Sequence, residues 1–410
     1  MAAKTKIRNI VTVIVLVLPL TIGYARAQKI PVLQLASTIS NGMLATNSEK
    51  TIIVATDISP DASRLAILYG VAIKSTATPV YNELWIAIWD IHADRLIKRT
   101  EVARSEQNSD VFVVGPLDVK FTADQKSIVV LGLRQVWIVD AANCSIRYSV
   151  KTPGSDIGFP NQILLPSNSL IAVTYERDGQ QFYTVVYSIP SGGSFASWRS
   201  AVAPQSFSAD AQLAAMPDLS TYNNGGVSNV AIVSSRTGEM IRTVSVGFAF
   251  PKSWLGKRKA HGSVVARFIN DKEIMAAPDG SRDSTGHHSG DGVEIINAID
   301  GHMERKIALD NYGPTGVIAE SIDRKWMALE SIYAHPIWFS IESANPDHFV
   351  HSLRLLATSN NDSQFVVPWP SIQASKNSLP MLSIPPRVSS VGPTAVITVG
   401  SEISVFRGGK

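Results

Sequence analysis

The segment that decides the fold is Leu117–Val150, LDVKFTADQKSIVVLGLRQVWIVDAANCSIRYSV. It contains four short strand-like stretches that are separated by polar turns: Leu117–Phe121, Ser127–Leu131, Arg134–Asp140 and Ile146–Val150. In the last stretch apolar and polar residues alternate, as they do in a strand with one buried face. The segment therefore predicts a sheet of four antiparallel strands joined by tight turns.

Two features of this unit recur in the same order along the chain. The first is a polar turn after the first strand, with copies at Ser59-Pro60-Asp61, Thr122-Ala123-Asp124, Pro166-Ser167-Asn168, Ser208-Ala209-Asp210, Ile269-Asn270-Asp271, Ser321-Ile322-Asp323 and 374–377. The second is an apolar third strand that ends at Trp89-Asp90, Val139-Asp140, Tyr187-Ser188, Val233-Ser234, Ile296-Asn297, Phe339-Ser340 and Phe406-Arg407. Small polar side chains favour such turns because they bond their own backbone. In three copies a glycine follows four residues later (Gly192, Gly238 and Gly301), where a tight turn needs a positive φ.

The spacing of the turns identifies the architecture. Successive copies of the first turn lie 42 to 63 residues apart, and a four-stranded sheet about every 40–50 residues is the period of a β-propeller. One such sheet cannot cover both of its faces alone, so the sheets must stack around an axis as blades. We predict an all-β fold, a seven-bladed β-propeller of four-stranded antiparallel blades in which longer steps contain loop insertions.

The two ends of the chain predict how the ring closes. Lys29–Ser37 is an apolar strand before the first repeat, and the last repeat ends with its third strand at Glu402–Arg407. An open ring would expose unpaired strand edges. We therefore expect the N-terminal strand to close the propeller as the outermost strand of the last blade.

The repeated turns carry a family resemblance that covers nearly all of the chain after residue 27. Turns such as Ser59-Pro60-Asp61 and Arg236-Thr237-Gly238-Glu239 resemble those of the WD-repeat-like and lactonase-type (YVTN-like) seven-bladed propellers of secreted bacterial proteins. One copy, Trp89-Asp90, keeps the Trp-Asp pair, and the glycine-histidine signature is absent from its usual place. The resemblance implies the fold and assigns no functional residue.

Residues 1–27 have the features of a secretory signal peptide. Three basic residues precede Ile10–Ile22, an apolar run of 13 residues, and Ala25-Arg26-Ala27 is an A-x-A cleavage site. The run contains Pro19 and is shorter than the roughly 20 residues of a membrane-spanning helix. We expect one propeller domain over residues 28–410, in a periplasmic or secreted protein that is not embedded in a membrane after cleavage.

The charge of the mature chain gives no reason to expect a nucleic-acid partner. The sequence has 37 Lys and Arg and 34 Asp and Glu, and four of the basic residues lie in the signal segment. Without those four, 33 basic residues remain against 34 acidic ones, so the net charge is −1. Cys144 is the only cysteine, so no internal disulfide can form and the packing of the blades must supply the stability.

Insertions between second and third strands indicate where a site would lie. They fall at Gly70–Asn82, Pro217–Ser228, Pro278–Gly292 and about Pro385–Pro393. In a propeller these loops open on one face together with the connections between blades, and loops on a rigid scaffold concentrate binding residues. We therefore expect the connection Pro251–Gly262 and the fifth-repeat insertion to meet on one rim.

Two residue clusters on this rim are candidate sites. The fifth-repeat insertion holds carboxylates and imidazoles that suit a divalent cation, or that belong to a solvated Gly/Ser-rich loop: Asp279, Asp283, His287, His288 and Asp291. The connection before the fifth repeat holds a second cluster: Lys252, Trp254, Lys257, Arg258, Lys259 and His261. These residues either bind an acidic glycan or a phosphate, or form a solvated surface loop. No spacing matches a calcium loop or a zinc motif.

The remaining residues favour binding over catalysis. A nucleophile elbow, an H-E-x-x-H helix, a P-loop, a dinucleotide fingerprint and a C-x-x-C pair are absent. His348 and His351 flank Val350 and are expected on a solvated outer strand. The sequence favours a scaffold for a protein or glycan partner in the cell envelope, with no required cofactor. The alternative is a propeller hydrolase or lactonase-like enzyme with its site at the channel mouth. The oligomeric state is left open.

Export gives a first prediction. N-terminal sequencing of the exported protein should find Gln28 as the first residue, because the predicted cleavage site ends at Ala27. A start at Met1, or deep within the first repeat, would contradict the assignment of the signal peptide.

Overall fold

A computed structural model shows an all-β chain with seven sheets, each with a path of four antiparallel strands. It describes residues 31–44, 51–74, 80–104, 112–113, 117–132, 135–151, 159–177, 181–218, 229–247, 264–278, 292–307, 315–334, 349–358, 363–367, 384–399 and 402–408. Within these ranges the only helix is the 3-10 turn Asn41–Met43, and no helix there has the length and apolarity needed to cross a membrane. The seven-bladed all-β fold predicted from the repeats is confirmed.

The first strand of the chain, β1 (Gln34–Ser40), belongs to the last blade. Blades 1, 2 and 3 each run from an inner strand to an outer strand. Blade 1 consists of β2 (Thr51–Ile58), β3 (Arg64–Lys74), β4 (Val80–Asp90) and β5 (Arg95–Arg104), with β6 (Phe112–Val113) beside β4. Blade 2 consists of β7 (Asp118–Phe121), β8 (Ser127–Leu131), β9 (Gln135–Asp140) and β10 (Ile146–Lys151). Blade 3 consists of β11 (Phe159–Ser167), β12 (Leu170–Arg177), β13 (Gln181–Ser188) and β14 (Ser194–Ser200).

Blades 4 to 7 repeat this order. Blade 4 consists of β15 (Ser206–Phe207), β16 (Leu213–Asp218), β17 (Asn229–Ser234) and β18 (Met240–Val244), and blade 5 of β19 (Val264–Phe268), β20 (Glu273–Pro278), β21 (Val293–Asn297) and β22 (Met303–Ile307). Blade 6 consists of β23 (Thr315–Glu320), β24 (Trp326–Ala334), β25 (Phe349–Ala357) and β26 (Gln364–Val367). Blade 7 consists of β27 (Ile384–Val388), β28 (Thr394–Val399) and β29 (Glu402–Arg407), with β1 as its outer strand.

The hydrophobic core lies between the blades. Seven clusters of buried apolar side chains occur, and each combines residues of two neighbouring blades, including blades 7 and 1. All five residues of β8 are buried, because both faces of a middle strand are covered. The outer strand β10 has no buried residue. This explains why second strands are continuous apolar runs while outer strands mix polar and apolar residues.

The turns between inner and second strands share one hydrogen-bonding pattern. The Ser59 hydroxyl donates to the Asp61 carboxylate at 2.6 Å, and the same bond recurs at Thr122, Ser208 and Ser321. The residue after the aspartate then adopts a left-handed backbone, with φ of 57°, 58°, 59° and 62° at Ala62, Gln125, Ala211 and Arg324. The predicted polar turns of these four blades are confirmed.

The turns between third and outer strands also need a left-handed residue. The predicted positive φ is confirmed at Gly192, Gly238 and Gly301, which have φ of 68°, 70° and 79°. At Gly238 a Cβ atom would lie 2.9 Å from the Trp198 side chain, so glycine is required there by close approach as well. Blade 2 places Cys144 in this position, with φ of 59°.

The ring closes through its N-terminal strand, as predicted. β1 pairs antiparallel with β29, from Gln34 opposite Arg407 to Ser40 opposite Glu402. The strand lies a few residues later than predicted. The residues before it reach the neighbouring blade, because the Leu33 N–H donates to the Val366 carbonyl at 2.8 Å and the Val366 N–H donates to the Pro31 carbonyl at 2.9 Å. The N-terminal segment therefore connects blades 6 and 7.

The predicted register of blade 6 is wrong in its second half. Its third strand is β25, Phe349–Ala357, and does not end at Phe339-Ser340. His351 lies in this third strand, opposite Ile332 of β24, and not on an outer strand. The error arose because residues 335–348, which fall outside the described ranges, contain an apolar stretch that has the composition of a strand.

The predicted register of blade 7 is also wrong. Its first turn follows β27 at residues 389–393 and not at 374–377, which lie outside the described ranges. Pro385 and Pro386 are part of β27 and not of an insertion. An inner strand accepts prolines because one of its edges faces the channel and needs no ladder hydrogen bonds. In blade 1, β3 and β4 occupy most of the predicted insertion Gly70–Asn82.

Closure gives the second prediction. Deleting residues 28–40 should lower the melting temperature of the whole propeller, because β29 loses its partner and the buried side chains of Leu33 and Ile39 are removed. Each of those side chains contributes about 1.5–3 kcal/mol by burial. Deleting only residues 28–30, which precede the paired segment, is the control and should leave the melting temperature unchanged. Equal melting of the two variants would contradict a closing role for β1.

Candidate functional site

The two predicted clusters fall outside the described residues. This applies to Lys252, Trp254, Lys257, Arg258, Lys259 and His261, and to Asp279, Asp283, His287, His288 and Asp291. The flanking strands are described: Val264, the first residue of β19, is paired with Pro278, the last residue of β20. The segment 248–263 leads into Val264, and the segment 279–291 follows Pro278. The two segments therefore adjoin paired positions of one sheet. Whether the two clusters share a rim stays a prediction.

The connections between strands sort by length onto opposite ends of the blades. At one end, the turns that leave inner and third strands contain two to six residues. At the other end, the connections that leave second and outer strands contain two to nineteen residues. Antiparallel pairing within each blade enforces this separation. We call the end with the connections that leave second and outer strands the variable face. The two predicted clusters were placed on this face.

A cavity of about 60 Å³ lies in the channel near the opposite end of the inner strands. Most of its lining comes from the last residues of these strands and from the turns that follow. Its lining comprises Asp57, Ile58, Pro60, Lys120, Phe121, Leu164, Leu165, Ser206, Phe207, Glu320, Ile322, Arg324 and Val388. The cavity lining therefore combines apolar side chains with two carboxylates and two basic side chains.

A buried ion-pair network holds one side of the channel. The Arg387 guanidinium is paired with Asp118 and lies 3.8 Å from the Asp57 carboxylate, and its Nε donates to the Thr56 carbonyl at 2.7 Å. Asp57 in turn accepts the Phe121 N–H at 2.6 Å. The network connects the inner strands of blades 7, 1 and 2, so its charged groups have protein partners and serve the joint between these blades.

Burial shifts the pKa values of the two charged groups beside this network. Removal from water raises the pKa of Asp57, against the lowering effect of Lys120 and Arg387. Removal from water also lowers the pKa of Lys120, and the positive charge of Arg387 adds to this shift while Asp118, Asp57 and Glu320 oppose it. Both pKa shifts favour the neutral form of the side chain, as is expected for ionisable groups that are partly removed from water.

Arg324 and Glu320 hold the opposite side of the cavity. Arg324 follows the Ser321–Asp323 turn of blade 6, and its side chain is only 8% exposed. Its Nη2 donates to the Ser208 carbonyl of blade 4 at 3.2 Å, so the guanidinium extends past blade 5. Its Nη1 and the Glu320 Oε2 are buried atoms without a hydrogen-bond partner. Burial lowers the pKa of Arg324, and the nearby Glu320 carboxylate opposes that shift.

Neither of these two residues was singled out from the sequence. Arg324 stands directly after the Asp323 of a predicted turn, and an arginine in a turn is usually exposed to solvent. The equivalent positions of blades 1, 2 and 4 hold Ala62, Gln125 and Ala211. Because these positions share no residue type, the comparison of repeats gave no signal that pointed to Arg324.

Exposed apolar side chains recur near the start of the outer strands. Met240 and Ile241 in blade 4 are 64% and 52% exposed. The other members of this set are Ile97, Ile146, Phe195 and Met303 in blades 1, 2, 3 and 5. We call this set the outer-edge apolar residues. Apolar side chains that are exposed singly are normal on a protein surface.

The described residues contain no group of three or more His, Cys, Asp or Glu side chains arranged to hold a metal ion. Asp57 and Asp118 share the Arg387 guanidinium, and the two carboxylates come from neighbouring inner strands. The predicted cation-binding residues of the fifth-repeat insertion lie outside the ranges to which this statement applies.

Comparisons with known proteins identify the fold. No family model and no curated protein sequence matches the chain. A chain in a crystal structure of the mitotic checkpoint complex matches with a TM-score of 0.51 and 11% identity, over 98% of this chain and 99% of its own. The WD40 domain of Neurospora crassa Pan2 matches with a TM-score of 0.51 and 9% identity, over 92% of this chain and 96% of its own. The chain is a seven-bladed β-propeller with WD40 structural neighbours.

The channel network gives the third prediction. Replacing Arg387 with methionine should lower the free energy of unfolding by about 3 kcal/mol, because the partly buried carboxylates of Asp57 and Asp118 lose their partner. Replacing Arg147 with methionine is the control, since its 2.5 Å pair with Asp140 is 43% exposed on the arginine side and such surface pairs contribute about 1 kcal/mol or less. Urea unfolding would measure both. A small effect at Arg387 would mean that water, and not the arginine, stabilises the two carboxylates.

Proposed function

We propose that this protein is an exported β-propeller that acts as an interaction scaffold for a protein or glycan partner in the cell envelope. Export rests on the signal peptide predicted over residues 1–27. Binding rests on the fold and on the way the chain distributes its connections. One matched structure is a mitotic checkpoint complex, in which a similar propeller is part of a multiprotein assembly. That precedent supports a protein as the partner.

The variable face carries this proposal. Its connections reach nineteen residues, while the turns at the other end never exceed six and repeat one Ser/Thr–Asp hydrogen-bonding pattern. The packing of the ring requires only short connections, so the extra chain on one face serves something other than the fold. Loops on a rigid scaffold are where binding residues concentrate. The partner therefore belongs on the variable face.

Within that face we place the contact at the fifth blade. The segment with Trp254 and Arg258 enters this blade, and the segment with His287 and His288 is an insertion in it. An indole beside several cations suits a sugar ring with an acidic substituent, or an acidic protein surface. The carboxylates and imidazoles of the insertion add donors and acceptors for a polar ligand, and a divalent cation would bind through them.

The alternative of a hydrolase or lactonase-like enzyme gains no support from the ion-pair network of the channel. A catalytic site at the channel mouth requires polar groups that are free to act on a substrate. The described carboxylates Asp57 and Asp118 instead accept hydrogen bonds from the backbone N–H groups of Phe121 and Val119 and pair with Arg387. These contacts give them a structural role.

The fourth prediction tests the scaffold and the place of its contact. The double substitution of Trp254 and Arg258 with alanine, and separately the deletion of 281–289, should each leave stability within about 0.5 kcal/mol, as surface changes do. Affinity capture from the envelope fraction, quantified by mass spectrometry, should show a partner that wild type retains and at least one variant loses. A glycan array would report a carbohydrate partner with the same variants.

The outer-edge apolar residues supply a matched control. The double substitution of Met240 and Met303 with glutamine also changes two exposed side chains, but these begin outer strands at the end of the blades opposite to the variable face. This control should keep the partner. Loss of the partner in the control alone would place the contact on the outer edge. Retention in every variant would contradict a contact at the fifth blade.

A further inference from the structure

The channel cavity combines charged and apolar lining residues. Phe121, Phe207, Ile322 and Val388 contribute apolar surface, while Arg324 and Glu320 contribute charge from one blade. Arg324 is largely shielded from bulk water, and electrostatic interactions are stronger in such surroundings. A ligand with matching charges would therefore gain more from these groups than it would at the protein surface.

Two atoms in this site have no partner within the protein. The Arg324 Nη1 is a buried donor, in a side chain that is 8% exposed, and the Glu320 Oε2 is a buried acceptor. Buried polar groups are nearly always hydrogen-bonded, and a charged one that is not is costly. Arg324 is fixed in place, because its Nη2 donates to the Ser208 carbonyl at 3.2 Å. The donor and the acceptor are therefore held ready for an occupant of the cavity.

The charge of the lining restricts what that occupant can be. Lys120 and Arg324 are basic, and Asp57 and Glu320 are acidic, so the four charged residues of the cavity sum to zero. Asp57 already accepts the Phe121 N–H. An occupant with a net charge would disturb this balance and would leave either the Arg324 donor or the Glu320 acceptor unsatisfied. An occupant that is neutral overall but carries one group of each sign satisfies both.

Size restricts the occupant further. The cavity measures about 60 Å³, and one water needs roughly 10–15 Å³ in this measure, so about four to six non-hydrogen atoms fit. A carboxylate and an ammonium joined by one carbon have about that number of atoms.

We propose that the channel cavity binds a small zwitterion, of the class of amino acids with a very short side chain. Its carboxylate accepts a hydrogen bond from the Arg324 Nη1, and its ammonium donates to the Glu320 Oε2. Charge-assisted hydrogen bonds of this kind are the strong ones. The inference does not depend on the partner proposed for the variable face, because every residue that carries it lies on the inner strands or on the turns of the opposite end.

The experiment begins with the wild-type protein and four probes. Ligand-observed NMR and calorimetry would compare glycine and L-alanine, which carry both charges, with acetate and methylammonium, which carry one each. Glycine or L-alanine should bind, and the single-charge probes should bind at least about tenfold more weakly, because a site built for a polar group rejects an analogue that lacks it. Absence of binding by both amino acids, with the cavity holding water alone, would overturn the proposal. Equal binding of acetate and glycine would overturn it too.

Substitutions then assign the contacts. Arg324→Met removes the guanidinium but keeps a side chain at the left-handed position, and Glu320→Gln removes one charge with little change of shape. Each should weaken binding of glycine at least about tenfold. Lys325→Met is the matched control, because it removes a positive charge from the same turn, where the Lys325 side chain is 73% exposed. Unchanged affinity in both cavity variants would overturn the proposal. If Arg324→Met does not fold, Glu320→Gln and the comparison of probes still decide the question.

Discussion

Every blade of this propeller depends on its neighbours to cover the two apolar faces of its sheet. Second strands such as Ser127–Leu131 are buried along their whole length, and the seven clusters of buried side chains all lie between blades. A single blade has no core of its own, so its stability comes from its interfaces. The other features follow from this constraint, including the short turns at one end of the blades and the closing strand from the N-terminus.

Much of this fold could be predicted because its turns are encoded by residues close together in sequence. A hydroxyl two residues before an aspartate, as in Ser208 and Asp210, forms its hydrogen bond locally. The predicted strand positions of blades 6 and 7 were wrong, because there the surroundings of a segment in the folded protein decide whether it forms a strand. Pro385 and Pro386 exclude a central strand but are accepted by an inner strand whose edge faces the channel. An insertion with a strand-like composition concealed the third strand of blade 6.

The channel could not be predicted in the same way, because its groups meet only in the folded ring. Arg387 and Asp118 pair across 269 positions of sequence, and no local pattern links them. Arg324 holds the left-handed position of its turn, as Ala62, Gln125 and Ala211 do in theirs, and the sequence does not show that this turn faces a cavity. The two clusters predicted for the fifth blade were chosen from composition alone, since composition is what distinguishes a loop from a strand in sequence, and they stay predictions.

The pairing of the first and the last strand has a consequence for when the protein can reach its native state. During synthesis β1 emerges before the strands of all seven blades, and β29, its partner, emerges after them. Contacts between residues so far apart in sequence form slowly, since a large loop must close before they give any stability. The ring is therefore completed only when β29 has been synthesised, and until then blade 7 presents an unpaired edge. A chain that assembles in this order has no complete ring while its earlier blades are being made.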